Sequence, residues 1–135
     1  MAEILIDTSA AYALLAAEDA HHAKAVEIYG SIQARNIPLV LSNFILAETH
    51  TIINRRIGHA AAREFLNNAL RDFEIERATL EDEWAAHAIL QGTTRSKDLS
   101  YFDAVTLAVA ERLGIKEIFS FDSHFEMMGL ALSVP

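Results

Sequence analysis

Short apolar runs alternate with longer stretches of helical periodicity along almost the whole chain, and that alternation leaves few folds open. Ile4–Ile6, Leu39–Leu41, Phe73–Glu76, Glu117–Phe121 and Leu130–Val134 have the length and composition of strands. Between them the apolar residues return every three or four positions. The spacing predicts helices from Ser9 through Leu15, over His22–Gln33, from a Ser42 cap to Gly58, and over Ala60–Leu70. Three more follow: Leu80–Gln91 around Trp84, Ala88 and Ile89, Leu99–Leu113 stopped by Gly114, and the short His124–Met128. Strands separated by helices are joined by right-handed crossovers, so the sheet is mostly parallel. The expected class is α/β, a three-layer sandwich whose central sheet is covered by helices on both faces.

A chain of 135 residues suits a single domain over residues 1–135, with no internal repeat or low-complexity segment to divide it. There is no cysteine, which excludes disulfides and thiolate metal sites and points to a reducing cytoplasm. The longest apolar runs, such as Ala104–Ala110, fall far short of the roughly 20 residues that span a bilayer, so no membrane anchoring is expected. A net charge of −8 argues against a protein that grips nucleic acid mainly through a broad basic surface.

Four carboxylates stand out. Asp7 ends the first strand, Glu48 sits within an apolar helical stripe, Asp103 opens the helix before Gly114, and Asp122 follows Phe119-Ser120-Phe121. Ligand sites of open α/β sheets lie beyond the carboxyl ends of strands, where Asp7 and Asp122 fall. Asp7 and Asp122 could each simply cap a helix, and Ser100-Tyr101-Phe102-Asp103 has the spacing of a capping box. Glu48 has no such explanation. Its helical neighbours Phe44, Ile45 and Ile52 place it on the core-facing stripe, where an ionised acid needs a cation or a partner. Gathered together, four carboxylates would suit Mg²⁺ or Mn²⁺, and a divalent ion so held can activate water against a phosphodiester.

The order and spacing of these pieces resemble the PIN-domain family, and within it the VapC-like toxin ribonucleases. The resemblance spans essentially the whole chain. It rests on Ile4-Leu5-Ile6-Asp7-Thr8-Ser9, on Leu46-Ala47-Glu48, on Leu99-Ser100-Tyr101-Phe102-Asp103-Ala104, and on Phe119-Ser120-Phe121-Asp122-Ser123-His124-Phe125. It implies a PIN-like sandwich in which Asp7, Glu48, Asp103 and Asp122 are the catalytic, metal-binding quartet, with Thr8, Ser9 and Ser120 as supporting hydroxyls. It also implies Mg²⁺- or Mn²⁺-dependent endonucleolytic cleavage of RNA that leaves a 5′-phosphate and a 3′-hydroxyl. A cognate antitoxin and a homodimer are further implied partners. The alternative within the fold is a nuclease that is not a toxin, or a non-catalytic module that binds RNA or protein.

An acidic protein can still hold RNA if particular cations face the phosphates. Arg55 and Arg56, on the helix of Glu48, and Arg95 and Lys97, shortly before Asp103, are the candidate RNA contacts. Asp98, in the polar loop Gly92–Asp98, reads as a solvated or capping acid and is left out of the site. His50 faces away from Glu48 on a helix, and His21-His22 reads as an exposed helix start. Rival enzymes fare poorly. A receiver domain requires adjacent acids after the first strand, a dehalogenase-type phosphatase requires an acid where Ser9 stands, and a Rossmann turn requires clustered glycines, whereas all glycines here are isolated.

Overall fold

The computed structural model describes residues 2–92 and 99–133. Five strands form one sheet: β1 (Ile4–Ile6), β2 (Leu39–Ser42), β3 (Glu74–Glu76), β4 (Glu117–Phe119) and β5 (Ala131–Leu132). Their order is β3-β2-β1-β4-β5, and every pairing is parallel. Ile4 lies opposite Leu39 on one side and Glu117 on the other, so β1 and β4 end level with each other. The chain builds outward from β1 first in one direction and then in the other, which makes the gap beyond β1 and β4 the topological switch point.

The helices are α1 (Thr8–Leu15), α2 (His22–Ala34), α3 (Asn43–Arg56), α4 (His59–Asp72), α5 (Leu80–Gly92), α6 (Tyr101–Leu113) and α7 (His124–Met127). Alternation along the buried strands sends Ile4, Ile6, Leu39 and Leu41 into a core with α1 to α4, while Leu5, Val40 and Ile118 join a second core against α6. The result is the expected PIN-like three-layer α/β sandwich, with a sheet that is wholly rather than mostly parallel. Local signals place the helix ends. Ser42 accepts from Ile45 N and caps α3, and Gly114 takes the left-handed conformation that terminates α6. Among the described residues, no helix is long and apolar enough to cross a membrane.

Some expectations are corrected. Phe73 caps the end of α4 instead of opening β3. β4 stops at Phe119, because Phe121 N turns away from the ladder to donate to Ser9 Oγ at 3.0 Å. The fifth strand is only Ala131–Leu132, without Leu130 and Ser133 of the predicted segment, and Val134 lies outside the described residues. Ile57, whose spacing from Ile53 would put it on the apolar stripe of the helix ending before Gly58, is instead 48% exposed, since it follows the last turn of α3. The face of α5 is also different: Trp84 is 65% exposed and Ala88 is exposed, while Asp82 and Ala86 are buried. Ala86 packs against Ala104, Val105 and Val109 of α6, an interface built of small side chains.

Candidate active site

All four acids of the expected quartet line one cleft of about 870 Å³ at the carboxyl end of the sheet. Asp7 arrives there directly from β1 and caps α1, accepting from Ala10 N at 3.2 Å. Being a cap does not exhaust it. Ser9 Oγ donates to Asp7 Oδ1 and Ser120 Oγ to Asp7 Oδ2, both at 2.8 Å, so the buried carboxylate is fixed from the first turn of α1 and from the residue after β4. The same hydroxyls reach onward: Ser120 Oγ accepts from Asp122 N at 2.9 Å, and Ser9 Oγ accepts from Phe121 N. The loop carrying Asp122 is thereby tied to Asp7.

Glu48 comes from the middle of α3 and is half-buried at the cleft wall. Thr8 Oγ1 donates to Glu48 Oε1 at 2.5 Å and accepts from Thr49 Oγ1 at 3.2 Å. Asp103 does form the capping box of α6, with Ser100 N donating to its Oδ2 at 3.1 Å. Its cap role and its place in the cleft coexist, because one carboxylate has several lone pairs to share. Thr8, Ser9 and Ser120 are thus all in contact with the acids.

Burial pushes the Asp7 carboxyl up to about 7, against the hydrogen bonds from Ser9, Ser120 and Ala10 and with the help of the Asp122 charge. Glu48 and Asp103 are also raised, first by burial. The Thr8 hydrogen bond opposes the rise at Glu48, while Asp103 and Asp122 add to it; at Asp103 the Ser100 and His124 contacts oppose and Asp122 adds. The acids repel one another, and among the described residues none of the four forms an ion pair with a Lys or Arg. As the side chains stand, no three of the described His, Asp and Glu residues close into a ready cage for an ion.

Of the basic candidates, Arg56 lines the cleft, its guanidinium 5.3 Å from the Tyr12 ring centre. Arg55 is exposed and is not among the lining residues. Arg95 and Lys97 lie outside the described residues, as does Asp98. Two histidines in the cleft were not assigned to the site. His21, exposed at the start of α2, stacks on Phe121 with ring centroids 4.3 Å apart and planes 14° apart. His124 places Nε2 3.3 Å from Asp103 Oδ2, near enough for attraction if protonated but not aligned as a hydrogen bond, which leaves that buried nitrogen without a partner. A signal for His124 existed in its proximity to Asp122; nothing in the sequence joins His21 to Phe121.

The class defined by this sheet and cleft is matched directly. Residues 4–129 match the PIN domain, and the chain belongs to that family. Within it the chain is VapC-like. It is 35% identical over 132 residues to the 23S rRNA-specific endonuclease VapC20 of Mycobacterium tuberculosis, covering 93% of this chain and 94% of the relative. It is 30% identical over 133 residues to a VapC ribonuclease of Archaeoglobus fulgidus, covering 91% and 79% respectively. The crystal structure of Mycobacterium tuberculosis VapC20, described as a sarcin-ricin loop cleaving toxin, aligns with a TM-score of 0.84 at 32% identity over 96% of this chain and 97% of that one. VapBC2 of Rickettsia felis, bound to a promoter DNA fragment, shares the fold with a TM-score of 0.67 at 13% identity, covering 96% of each chain.

Proposed function

We propose that this protein is a Mg²⁺- or Mn²⁺-dependent endoribonuclease acting as the toxin of a VapBC-type pair. One observation carries the metal: four carboxylates meet in one cleft with no Lys or Arg ion pair among the described residues, a charge arrangement that calls for a cation. The donor set is all oxygen, which fits a hard divalent ion. An open cleft is compatible with Mg²⁺, which keeps several waters and needs only a few carboxylates. Asp7, Glu48, Asp103 and Asp122 would hold it. When bound, it supplies a water of lowered pKa and charge stabilisation at the scissile phosphate.

The remaining work falls to the chain. Ser9 and Ser120 orient Asp7 and tether the Asp122 loop, and Thr8 orients Glu48, so the carboxylate oxygens are set before substrate arrives. Arg56 lines the same cleft, and its positive charge would be available to the RNA backbone there. The likeness to VapC20 makes a structured ribosomal RNA loop the first substrate to try. An antitoxin that covers the cleft, a homodimer and residence in the cytoplasm complete this reading.

The test is cleavage of total cellular RNA by the purified chain with Mg²⁺, with Mn²⁺ and with EDTA, alongside Asp7→Asn as the control for contaminating nuclease. Discrete fragments that require metal and vanish in Asp7→Asn are expected. Fragments that persist in EDTA or in the variant would overturn the assignment.

A further inference from the structure

The cleft has a rim that the acids do not explain. Phe119, Phe121 and His21 form an aromatic ladder that climbs from the core to the surface beside the carboxylates. Phe119 is fully buried at the end of β4, and its ring meets Phe121 edge-on at 6.1 Å and 60°. Phe121 is partly buried and lies face to face with exposed His21. The last ring therefore offers an outer face to solvent within the same cleft as Asp122, the residue after Phe121.

The ladder is held in place. Asp19 Oδ1 accepts from His21 N at 2.8 Å, and Asp19 O accepts from His22 N at 3.0 Å. His22 Nδ1 donates to Ala13 O at 2.7 Å, since a carbonyl can only accept, and this pins the start of α2 to α1. Phe121 is fixed through its own N–H on Ser9 Oγ. An exposed ring with an immobilised backbone loses little entropy when something stacks on it. Along the same cleft, the Arg56 guanidinium over Tyr12 gives a second flat element, this one cationic.

Unpaired bases of RNA are recognised by stacking on aromatic or histidine rings next to cations that follow the backbone. We propose that His21, backed by Phe121, is a base-stacking platform that receives one unpaired nucleotide of the RNA beside the scissile phosphate. The inference rests on the ribonuclease reading above and adds to it a residue that selects single-stranded or looped RNA. His21 positions substrate; it has no part in the bond cleavage.

The experiment uses the full chain carrying Asp7→Asn with Mg²⁺, so that RNA binds without being cut, and titrates it against a short single-stranded oligoribonucleotide containing 2-aminopurine. Stacking should quench the fluorophore. Adding His21→Ala should weaken binding roughly 5- to 150-fold and abolish the quench, as expected when one base loses its ring partner. His21→Tyr should restore both, whereas His21→Lys, which offers a positive charge without a ring, should not. Unchanged affinity in His21→Ala, or rescue by Lys but not Tyr, would overturn the platform. The two readings fail separately. If the chain with native Asp7 cleaves no RNA in Mg²⁺ or Mn²⁺, the ribonuclease reading falls. If it cleaves while His21→Ala leaves KM unchanged, the platform alone falls.

Discussion

Two groups of carboxylates share this small fold with opposite surroundings. Asp82 on α5 and Glu76 at the end of β3 converge on Arg112 of α6, with separations of 2.9 to 3.1 Å. Burial, the largest single influence, would push Asp82 up, but the hydrogen bonds from Arg112 and Thr79 together with the Arg112 charge outweigh it and hold the carboxyl below its usual range. The guanidinium is raised in turn. In the cleft, Asp7, Glu48 and Asp103 are raised, with burial the leading cause and neighbouring acids adding to it. The difference is the cation. One group carries its own and stabilises the α5–α6 layer; the other has no Lys or Arg paired to it among the described residues and pays for its proximity in repulsion, which a divalent ion would relieve.

The comparison can be broken most forcefully at the cleft. Asp103→Asn should keep the circular dichroism of the folded chain and lose metal-dependent RNA cleavage by more than the ~10–100-fold that removal of an outer-shell partner costs. Retained cleavage would show that Asp103 is a helix cap and nothing more. The paired group should respond in the opposite sense. Arg112→Ala strands a buried Asp82, whose side chain is only 4% exposed, and should lower unfolding stability in urea. We expect about 2–3 kcal/mol, less than for a fully buried pair because Arg112 is itself partly exposed.

A pH series sharpens the contrast. Asp7 is raised from 3.8 to about 7, so between those values the folded state holds a proton that the unfolded state has released. Stability in metal-free buffer should therefore fall as pH rises through that window and level off above about 7. Asp7→Asn has no such proton to lose, so its stability relative to the native chain should grow by about 2.5 kcal/mol from pH 5 to pH 8. A constant difference across that range would mean that Asp7 is not carrying an uncompensated charge. The smallest effect is expected at Ser100→Ala, which removes a helix cap worth about 1 kcal/mol and also releases Asp103, so cleavage should drop about tenfold. A loss of stability without any loss of cleavage would confine Ser100 to the helix end.

What the sequence made legible was local. The strands beside Asp7 and before Ser42, the capping box at Ser100 and the stop at Gly114 are all encoded within a few residues, and each stands where expected. The four acids could be selected because each sits oddly against its immediate neighbours. Pairings across the chain were not legible. Asp82 and Arg112 are 30 positions apart, and Thr8 meets Glu48 across 40. The exposed side of α5 was misassigned for the same reason: Trp84 is apolar, but the small residues of α6 select Ala86 for the interface. His21 gave no sign because its partner ring arrives from beyond β4 at the far end of the chain. Arg56 separates from Arg55 only once α3 has an orientation over Tyr12.

The most direct test of the central claim is calorimetric titration of Mn²⁺ into the full chain, into Asp103→Asn and into Glu76→Gln. The account predicts saturable binding in the native chain and in Glu76→Gln, and binding at least about tenfold weaker in Asp103→Asn. No binding by the native chain, or equal binding by the native chain and Asp103→Asn, would contradict it.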